Sequence, residues 1–198
     1  KRDEAGANLS AHETQTERYA NATLKWRNGG AVLRFLYEST GQIIYFTDGA
    51  DPAPRARELF HFFRPQTLAD WATQKNTLRG RLTRRPRLPE RNLRECQISA
   101  VNGLEDSLAK NRPRALIHMA TGAGKTFTAI TAAYRLLKFG GAKRILFLVD
   151  TRNLGKQAHQ EFMAYTPPVD ARAATELYNV QRLATPTVDP HAQVCIST

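Results

Sequence analysis

The stretch MATGAGKT, residues 119–126, constrains the fold of this chain more than any other part of its sequence. The apolar run RALIHMA leads into it and predicts a buried strand, whereas KTFTAITAAYRLLKFG predicts a helix ended by Gly140 and Gly141. A glycine-rich turn between a strand and a helix lets several backbone N–H groups converge on one anion, and the helix dipole favours that anion. The sequence therefore predicts a phosphate-binding loop.

The predicted phosphate-binding residues share this turn and the start of its helix: Thr121, Gly122, Ala123, Gly124, Lys125 and Thr126. We expect the lysine to neutralise the β- and γ-phosphates of a nucleotide, and the threonine hydroxyl to hold Mg²⁺. The general pattern G-x-x-x-x-G-K-[ST] has glycine where this chain has Met119. The form ATGAGKT resembles superfamily 2 helicases and translocases, in which the first glycine is commonly replaced.

A glutamine upstream of the loop indicates which nucleotide is bound. The sequence LRECQ, residues 93–97, places Gln97 at the start of a predicted helix. A glutamine amide can pair with N6 and N7 of adenine, which favours ATP over GTP. Superfamily 2 proteins have a glutamine with that role at about this place, often with an arginine shortly before it, which here is Arg94. The alternative, a merely polar surface residue, stays open.

A second anion site is predicted where RILFLVDTRNLGKQ passes from a strand to a helix. The strand ends at Asp150, and Thr151 and Arg152 begin the helix, so that N–H groups and a guanidinium are available to phosphate oxygens. This stretch resembles motif Ia of superfamily 2 motors, which contacts the backbone of the DNA strand. Asp150 or Thr151 can also serve as a helix cap, and the two roles are compatible. CIST, residues 195–198, resembles the beginning of the next DNA-contacting motif.

The order of patterns along the chain predicts two kinds of architecture. From residue 93 onward, helices alternate with the continuous apolar strands RILFLVD and AQVCIST, which is typical of a parallel α/β sheet covered on both faces. Before residue 79, AVLRFLYEST and QIIYFTD predict a hairpin around Thr40-Gly41. In the same block SAHETQTERYANATLKW and PQTLADWATQ predict helices, and RARELFHFF predicts a third strand with its aromatic run in the sheet core.

Arginines and two prolines crowd the segment between these blocks, RGRLTRRPRLPERNLR. Charge density and proline argue against a packed element, so we predict a front domain over residues 1–78, a basic linker over 79–92 and an α/β domain over 93–198. This linker either binds phosphates or is a solvated connection between the two domains.

Composition narrows the function classes further. The net charge of +11, from 29 Lys and Arg against 18 Asp and Glu, favours a polyanionic partner such as nucleic acid. The two cysteines, Cys96 and Cys195, have no metal-like spacing and are typical of a reducing cytoplasm. No apolar run is long enough to span a membrane. Because the sequence lacks an initiator methionine and stops at VCIST, we expect a fragment.

The quoted motifs together resemble the motor (restriction) subunit of type I restriction-modification enzymes. The resemblance implies the end of a PD-(D/E)xK nuclease-like α+β domain, followed by the first part of a RecA-like parallel α/β motor lobe. It also implies ATP and Mg²⁺ as cofactors, and as partners double-stranded DNA and the methyltransferase and specificity subunits, in a prokaryotic cytoplasm. The D-E-x-H carboxylates and the second motor lobe are not in this sequence, so we expect ATP binding with little turnover.

The same resemblance implies nuclease residues near the start of the chain. Such nucleases carry an E-x-K lysine and then a helix with Q-x-x-x-Y, which QTERY matches through Gln15 and Tyr19. Those two residues are one helical turn apart, hence on one face. Lys1, in KRDEAG, is expected to be the E-x-K lysine that orients the attacking water beside Mg²⁺. The alternatives are a superfamily 2 repair helicase without a nuclease, and a truncated module that only binds nucleic acid.

Overall fold

The computed structural model of the chain describes residues 13–22, 32–112, 114–168, 170 and 172–198, with only the backbone for 13–15. Two compact units follow one another along the chain, Lys1–Gly80 and Arg81–Thr198. Among the described residues, no helix combines the length and the apolar character needed to cross a bilayer.

The first unit contains an antiparallel sheet and short helices. Its elements in order are α1 (Glu13–Ala20), β1 (Phe35–Ser39), β2 (Ile44–Asp48), β3 (Arg57–Leu59), α2 (Pro65–Thr73) and α3 (Leu78–Leu82), the last of which crosses into the second unit. The strands lie in the order β1-β2-β3. The predicted hairpin is confirmed, because β1 pairs with β2 around Gly41, whose φ of +97° suits glycine. The helix predicted over PQTLADWATQ is confirmed as α2.

Aromatic rings form the core of the first unit. Phe46 is fully buried, and its ring lies 4.9 Å from that of Tyr37 and 5.0 Å from that of Phe63. The prediction that the whole run FHFF lies in the sheet core is wrong, since Phe60 is fully exposed and Phe62 is 55% exposed. The reason is that β3 ends at Leu59, so the run lies in the loop that follows the strand.

Arginines bind both buried carboxylates in the described part of the first unit. Arg34 contacts Asp48 through two parallel hydrogen bonds of 2.7 and 2.9 Å. Asp51 lies 3.2 Å from the Arg57 guanidinium and 3.8 Å from that of Arg79. The hydrogen bond to Asp48 raises the pKa of Arg34, whereas burial lowers the pKa of Arg79. These carboxylates therefore stabilise the fold of this unit.

The second unit is a mixed α/β structure around a parallel sheet. Its elements after α3 are α4 (Glu95–Ala109), α5 (Lys125–Arg135), β4 (Ile145–Leu148), α6 (Arg152–Ala164), α7 (Ala174–Leu177), β5 (Val180–Arg182) and β6 (Val194–Ser197). A π-helical turn, Leu136–Gly140, extends α5. The strand order is β4-β6-β5, and both pairings are parallel. The predicted parallel α/β organisation of this region is confirmed.

One face of this sheet packs against α5 and α6. Ile145 and Phe147 from β4 and Val194 and Ile196 from β6 join the buried cluster that these helices supply. The other face differs from the prediction of cover on both sides, because Leu146 and Leu148 are 59% and 66% exposed. Within the described residues, one apolar face of β4 therefore lies open.

One strand prediction was wrong, and one strand of the structure had no prediction. Residues 114–120, predicted as the strand RALIHMA, form no strand, and Leu116 is 94% exposed. A strand needs a ladder partner, and no described strand pairs with this run. Conversely, β5 was not predicted, because three half-buried or exposed residues carry almost no periodic signal.

The basic segment over residues 81–92 is packed, contrary to the expectation from its charge and prolines. Leu82 and Leu88 are 0% and 3% exposed, and Leu88 contacts Val101 of α4 and Ala132 of α5. Burial of these leucines favours packing of the segment, despite the charge of the neighbouring arginines. The domain bounds 1–78, 79–92 and 93–198 stay a prediction.

Candidate functional site

The turn between Ala120 and Lys125 has the backbone that its glycines predict. Gly122 and Gly124 have φ of +77° and +81°, in the left-handed region where other residues are strained. The Ala123 N–H donates to the Ala120 carbonyl at 3.3 Å, and Gly124 is the N-terminal cap of α5. The turn is therefore a compact loop that opens directly into a helix N-terminus.

The two glycines face different surroundings. A Cβ at Gly122 would meet nothing within 4 Å, so open space lies beside that part of the loop. A Cβ at Gly124 would overlap the side-chain amide nitrogen of Gln97. Gly124 is thus required for its conformation and for the close approach of the start of α4.

Two residues at the start of α4 hold the loop by its carbonyl groups. Arg94 Nη1 donates to the Gly122 carbonyl at 2.8 Å, and Gln97 Nε2 donates to the Ala123 carbonyl at 3.0 Å. Gln97 is 5% exposed, and its Oε1 also accepts from the Arg94 N–H at 3.0 Å. Because a trans peptide directs its N–H opposite to its C=O, the Gly124 N–H points away from Gln97. The Gly124 N–H therefore lies on the outer side of the loop, beside the first N–H groups of α5, which have no intrahelical acceptor.

The remaining loop residues lie around this opening. Thr121 and Lys125 are exposed, and Thr126 is half-buried on the first turn of α5. The Lys125 ammonium donates to the Ala120 carbonyl at 3.2 Å. Thr128 Oγ1 donates to the Gly124 carbonyl at 2.9 Å, which fixes the next turn of the helix. The structure therefore brings Arg94, Gln97 and the loop together, with a cation at the helix start.

Thr151 and Arg152 lie elsewhere in the second unit, at the carboxyl end of β4. Thr151 caps α6, since its Oγ1 accepts from the Leu154 N–H at 3.3 Å. Arg152 is exposed and lines a cavity of about 420 Å³, together with residues at the carboxyl ends of β5 and β6. Thr151 is therefore a helix cap that accepts from the Leu154 N–H. The N–H groups of Arg152 and Asn153, in the first turn of α6, have no intrahelical acceptor.

The predicted nuclease residues are described only in part. Lys1 lies outside the described residues, and so does the side chain of Gln15, whose backbone belongs to α1. Tyr19 lies on the same helix and is 62% exposed. The described part of the structure therefore gives no side-chain geometry for the Gln15 and Tyr19 pair.

A buried ion-pair network that no sequence motif indicates joins α4, α5 and the basic segment. Glu105 is fully buried, and its two oxygens lie 2.7 Å from Arg135 Nε and 2.5 Å from Arg85 Nε. Arg135 also donates to the Pro86 carbonyl at 2.7 Å. Burial lowers the pKa of Arg85, but its bonds to Asp106 and Glu105 outweigh this and raise it. The one sequence feature that could have indicated this network is an acidic residue, Glu105, on the apolar face of the predicted helix α4.

Comparisons with known proteins place the second unit in a described family. A family model described as "Type III restriction enzyme, res subunit" matches residues 90–198. Over 116 residues, 58% of this chain and 10% of the relative, the chain is 36% identical to the type I restriction enzyme EcoKI endonuclease subunit of Escherichia coli strain K12. No solved structure matches.

Two further relatives have the same kind of name. The EcoAI endonuclease subunit of Escherichia coli is 35% identical over 91 residues, 44% of this chain and 11% of the relative. The SsaAORF53P endonuclease subunit of Staphylococcus saprophyticus is 31% identical over 74 residues, 37% of this chain and 8% of the relative. The chain spans about a tenth of the length of these relatives. Through the match over residues 90–198, the chain belongs to the restriction-enzyme family described as "Type III restriction enzyme, res subunit", with type I endonuclease subunits as its relatives.

Proposed function

We propose that the chain is part of the restriction subunit of a type I restriction enzyme, an ATP-dependent DNA translocase and endonuclease. Residues 93–198 are then the first part of a RecA-like motor lobe, and residues 1–78 the end of a PD-(D/E)xK nuclease-like domain. By the family resemblance, the partners are double-stranded DNA and the methyltransferase and specificity subunits.

One observation carries the nucleotide part of this proposal, the loop held by Arg94 and Gln97. Both side chains donate to loop carbonyls, and the Gly124 N–H then points outward beside the first N–H groups of α5. Convergent N–H groups at a helix N-terminus suit a phosphate. Lys125 would exchange its bond with the Ala120 carbonyl for phosphate oxygens, and Thr126 would hold Mg²⁺. When bound, ATP with Mg²⁺ supplies the phosphoryl-transfer chemistry of a motor.

The proposed adenine role of Gln97 is compatible with its observed hydrogen bonds. An amide has two N–H donors and two acceptor lone pairs. The bonds to the Ala123 carbonyl and from the Arg94 N–H use one of each, so one donor and one lone pair remain for adenine. Gln97 would thereby connect base recognition to the phosphate loop.

The nucleic-acid part of the proposal depends on Thr151 and Arg152, and the nuclease part on Lys1, Gln15 and Tyr19. An exposed arginine and free N–H groups at the start of α6 suit backbone phosphates. The nuclease residues are supported by the family resemblance alone.

The test of the nucleotide site compares Lys125→Ala with Lys110→Ala, a variant at the exposed C-terminal cap of α4. We expect Lys125→Ala to weaken binding of a fluorescent ATP analogue at least tenfold, since a charged contact is worth about 1.5–3 kcal/mol. Lys110→Ala should bind as the unmodified chain does. Equal affinities in all three proteins would contradict the phosphate role of Lys125.

The base preference is tested separately with Gln97→Glu. This variant keeps the acceptor for the Arg94 N–H but cannot donate to the Ala123 carbonyl or to adenine N7. We expect ATP to lose its advantage over GTP in competition binding. An unchanged preference would remove the adenine role and leave Gln97 as a loop anchor.

A further inference from the structure

The cavity at the carboxyl edge of the parallel sheet contains a second arginine that no motif indicated. Arg182 is the last residue of β5, and Arg152 is the first residue of α6; both line the cavity of about 420 Å³. Parallel strands bring their carboxyl ends to one edge, and the register pairs Arg182 with Ile196 on the neighbouring β6. Two segments that are distant in sequence thus place guanidinium groups beside one cavity.

The charges lining this cavity are unbalanced. Its lining contains no Asp or Glu side chain, and within the described residues neither Arg152 nor Arg182 makes an ion pair or a side-chain hydrogen bond. Two unpaired cations beside one cavity repel each other, and an anion between them would relieve that repulsion. The lining hydroxyls of Thr185, Ser197 and Thr198 are further donors suited to an anion.

The cavity wall is held in place by bonds outside the cavity. Gln181 Nε2 donates to the Thr187 carbonyl at 3.1 Å, and the Asp189 N–H donates to Gln181 Oε1 at 2.9 Å, which fixes the loop after β5. On the opposite side Gly155 of α6 packs close to the strand ends, since an added Cβ would lie 3.5 Å from Val149 and 3.7 Å from Thr198. The site is therefore largely built before a ligand arrives.

We propose that Arg182 is a phosphate-binding residue, and that this cavity takes a phosphate of a nucleic-acid backbone between Arg152 and Arg182. This inference rests on the proposed nucleic-acid function and adds to it a second side chain from β5. The lining includes no aromatic ring that could stack on a base, so the contact is to phosphate and sugar and is independent of sequence. The net charge of +11 favours the same class of ligand.

The experiment uses the full chain and a short fluorescein-labelled DNA duplex, with anisotropy measured over a series of salt concentrations. We expect Arg182→Ala to weaken binding roughly tenfold for each of two unrelated duplexes. The slope of log K against log salt concentration should fall in magnitude by about 0.9, the value for one lost phosphate contact. Arg182→Lys should keep the slope and recover part of the affinity.

The matched control is Arg112→Ala, which removes the same charge from an exposed position beyond the end of α4 and outside the cavity. A thermal unfolding curve for each variant excludes loss of the fold. If Arg182→Ala and Arg112→Ala bind duplex alike while Arg152→Ala is impaired, the role of Arg182 is overturned and the proposed function stands. If the unmodified chain binds no duplex at all, the nucleic-acid part of the proposed function falls, and this inference with it. If Arg182→Ala weakens binding of a fluorescent ATP analogue and not of DNA, the cavity serves a nucleotide, and the inference is wrong.

Discussion

The arginines beside Glu105 and those at the carboxyl edge of the sheet belong to the same basic unit but have opposite surroundings. Arg135 is 2% exposed and shares the fully buried Glu105 with Arg85. Arg152 and Arg182 are exposed, and no described side chain pairs with either. The first group has its hydrogen bonds completed by the protein, whereas the second retains them for a ligand.

This difference teaches that net charge does not identify which cations meet a polyanion. By charge alone, every arginine of residues 79–94 is a candidate for a phosphate contact. In the structure Arg85 is bound by Glu105 and Asp106, and Arg81 donates to the Gly140 carbonyl at 2.7 Å. Arginines whose hydrogen bonds hold the second unit together thus lie in the same run that charge alone would assign to phosphates.

Removing the shared carboxylate should have the largest effect on stability. Glu105→Ala leaves the buried Arg135 guanidinium without its carboxylate, and breaking a buried pair in this way costs about 3–5 kcal/mol. We expect the free energy of unfolding, measured by urea denaturation, to fall by that amount.

The control for this prediction is Asp106→Ala, which removes the other carboxylate bound to Arg85. Asp106 is 58% exposed, and surface ion pairs contribute at most about 1 kcal/mol. Equal losses in the two variants would mean that burial does not separate the two groups of arginines.

The phosphate loop offers the next largest effect, through its two glycines. Alanine at either position adopts an unfavourable left-handed conformation, which costs about 1–2 kcal/mol. Gly124→Ala should cost more than Gly122→Ala, because only its Cβ meets the Gln97 amide. Urea denaturation measures the difference in stability, and binding of the ATP analogue should fall in the same order. Equal effects on both measurements would deny that Gln97 and the loop are in close contact.

Local patterns predicted the elements that need no distant partner. The β1–β2 hairpin, α2, α4, α5 and α6 follow from alternation, helical periodicity and glycine turns, and the structure contains each of them. Residues 114–120 failed because an apolar run specifies a strand only if another strand lies beside it. The prediction that both faces of β4 are covered failed for the same reason, since apolar composition does not specify which element packs against a strand.

The candidate site likewise has local features that the sequence predicts and contacts between distant residues that only the fold reveals. The left-handed glycines of the loop follow from the sequence, because the turn chemistry is local. The bond from Gln97 to the Ala123 carbonyl joins residues far apart in sequence and required the fold. Arg182 was missed because its neighbours in the cavity come from β6 and α6, and only the sheet register brings them together. The roles of these residues in binding stay predictions.

A smaller effect on stability should distinguish a buried hydroxyl that has a hydrogen-bond partner from one that has none. The Tyr134 hydroxyl is buried and has no hydrogen-bond partner among the described residues, whereas the Tyr165 hydroxyl donates to Thr131 Oγ1 at 3.1 Å. Tyr134→Phe should stabilise the chain by about 1 kcal/mol, and Tyr165→Phe should destabilise it by a similar amount. Urea denaturation at neutral pH measures both. Destabilisation of equal size in the two variants would indicate that Tyr134 has a polar partner after all.

The last effect is a pH dependence of stability that arises from ionisation of the Tyr134 hydroxyl, and it is absent at neutral pH. Burial raises the pKa of Tyr134 to about 12, whereas a tyrosine in the unfolded chain titrates near pH 10. The folded state therefore holds this proton more tightly, and the resulting stabilisation is complete below about pH 10 and is lost towards pH 12. Tyr134→Phe should lose less stability over this range than the unmodified chain does. Because burial also raises the pKa of Tyr165 and of Tyr178, part of the decline remains in Tyr134→Phe, and a decline as steep as that of the unmodified chain would contradict the assignment to Tyr134.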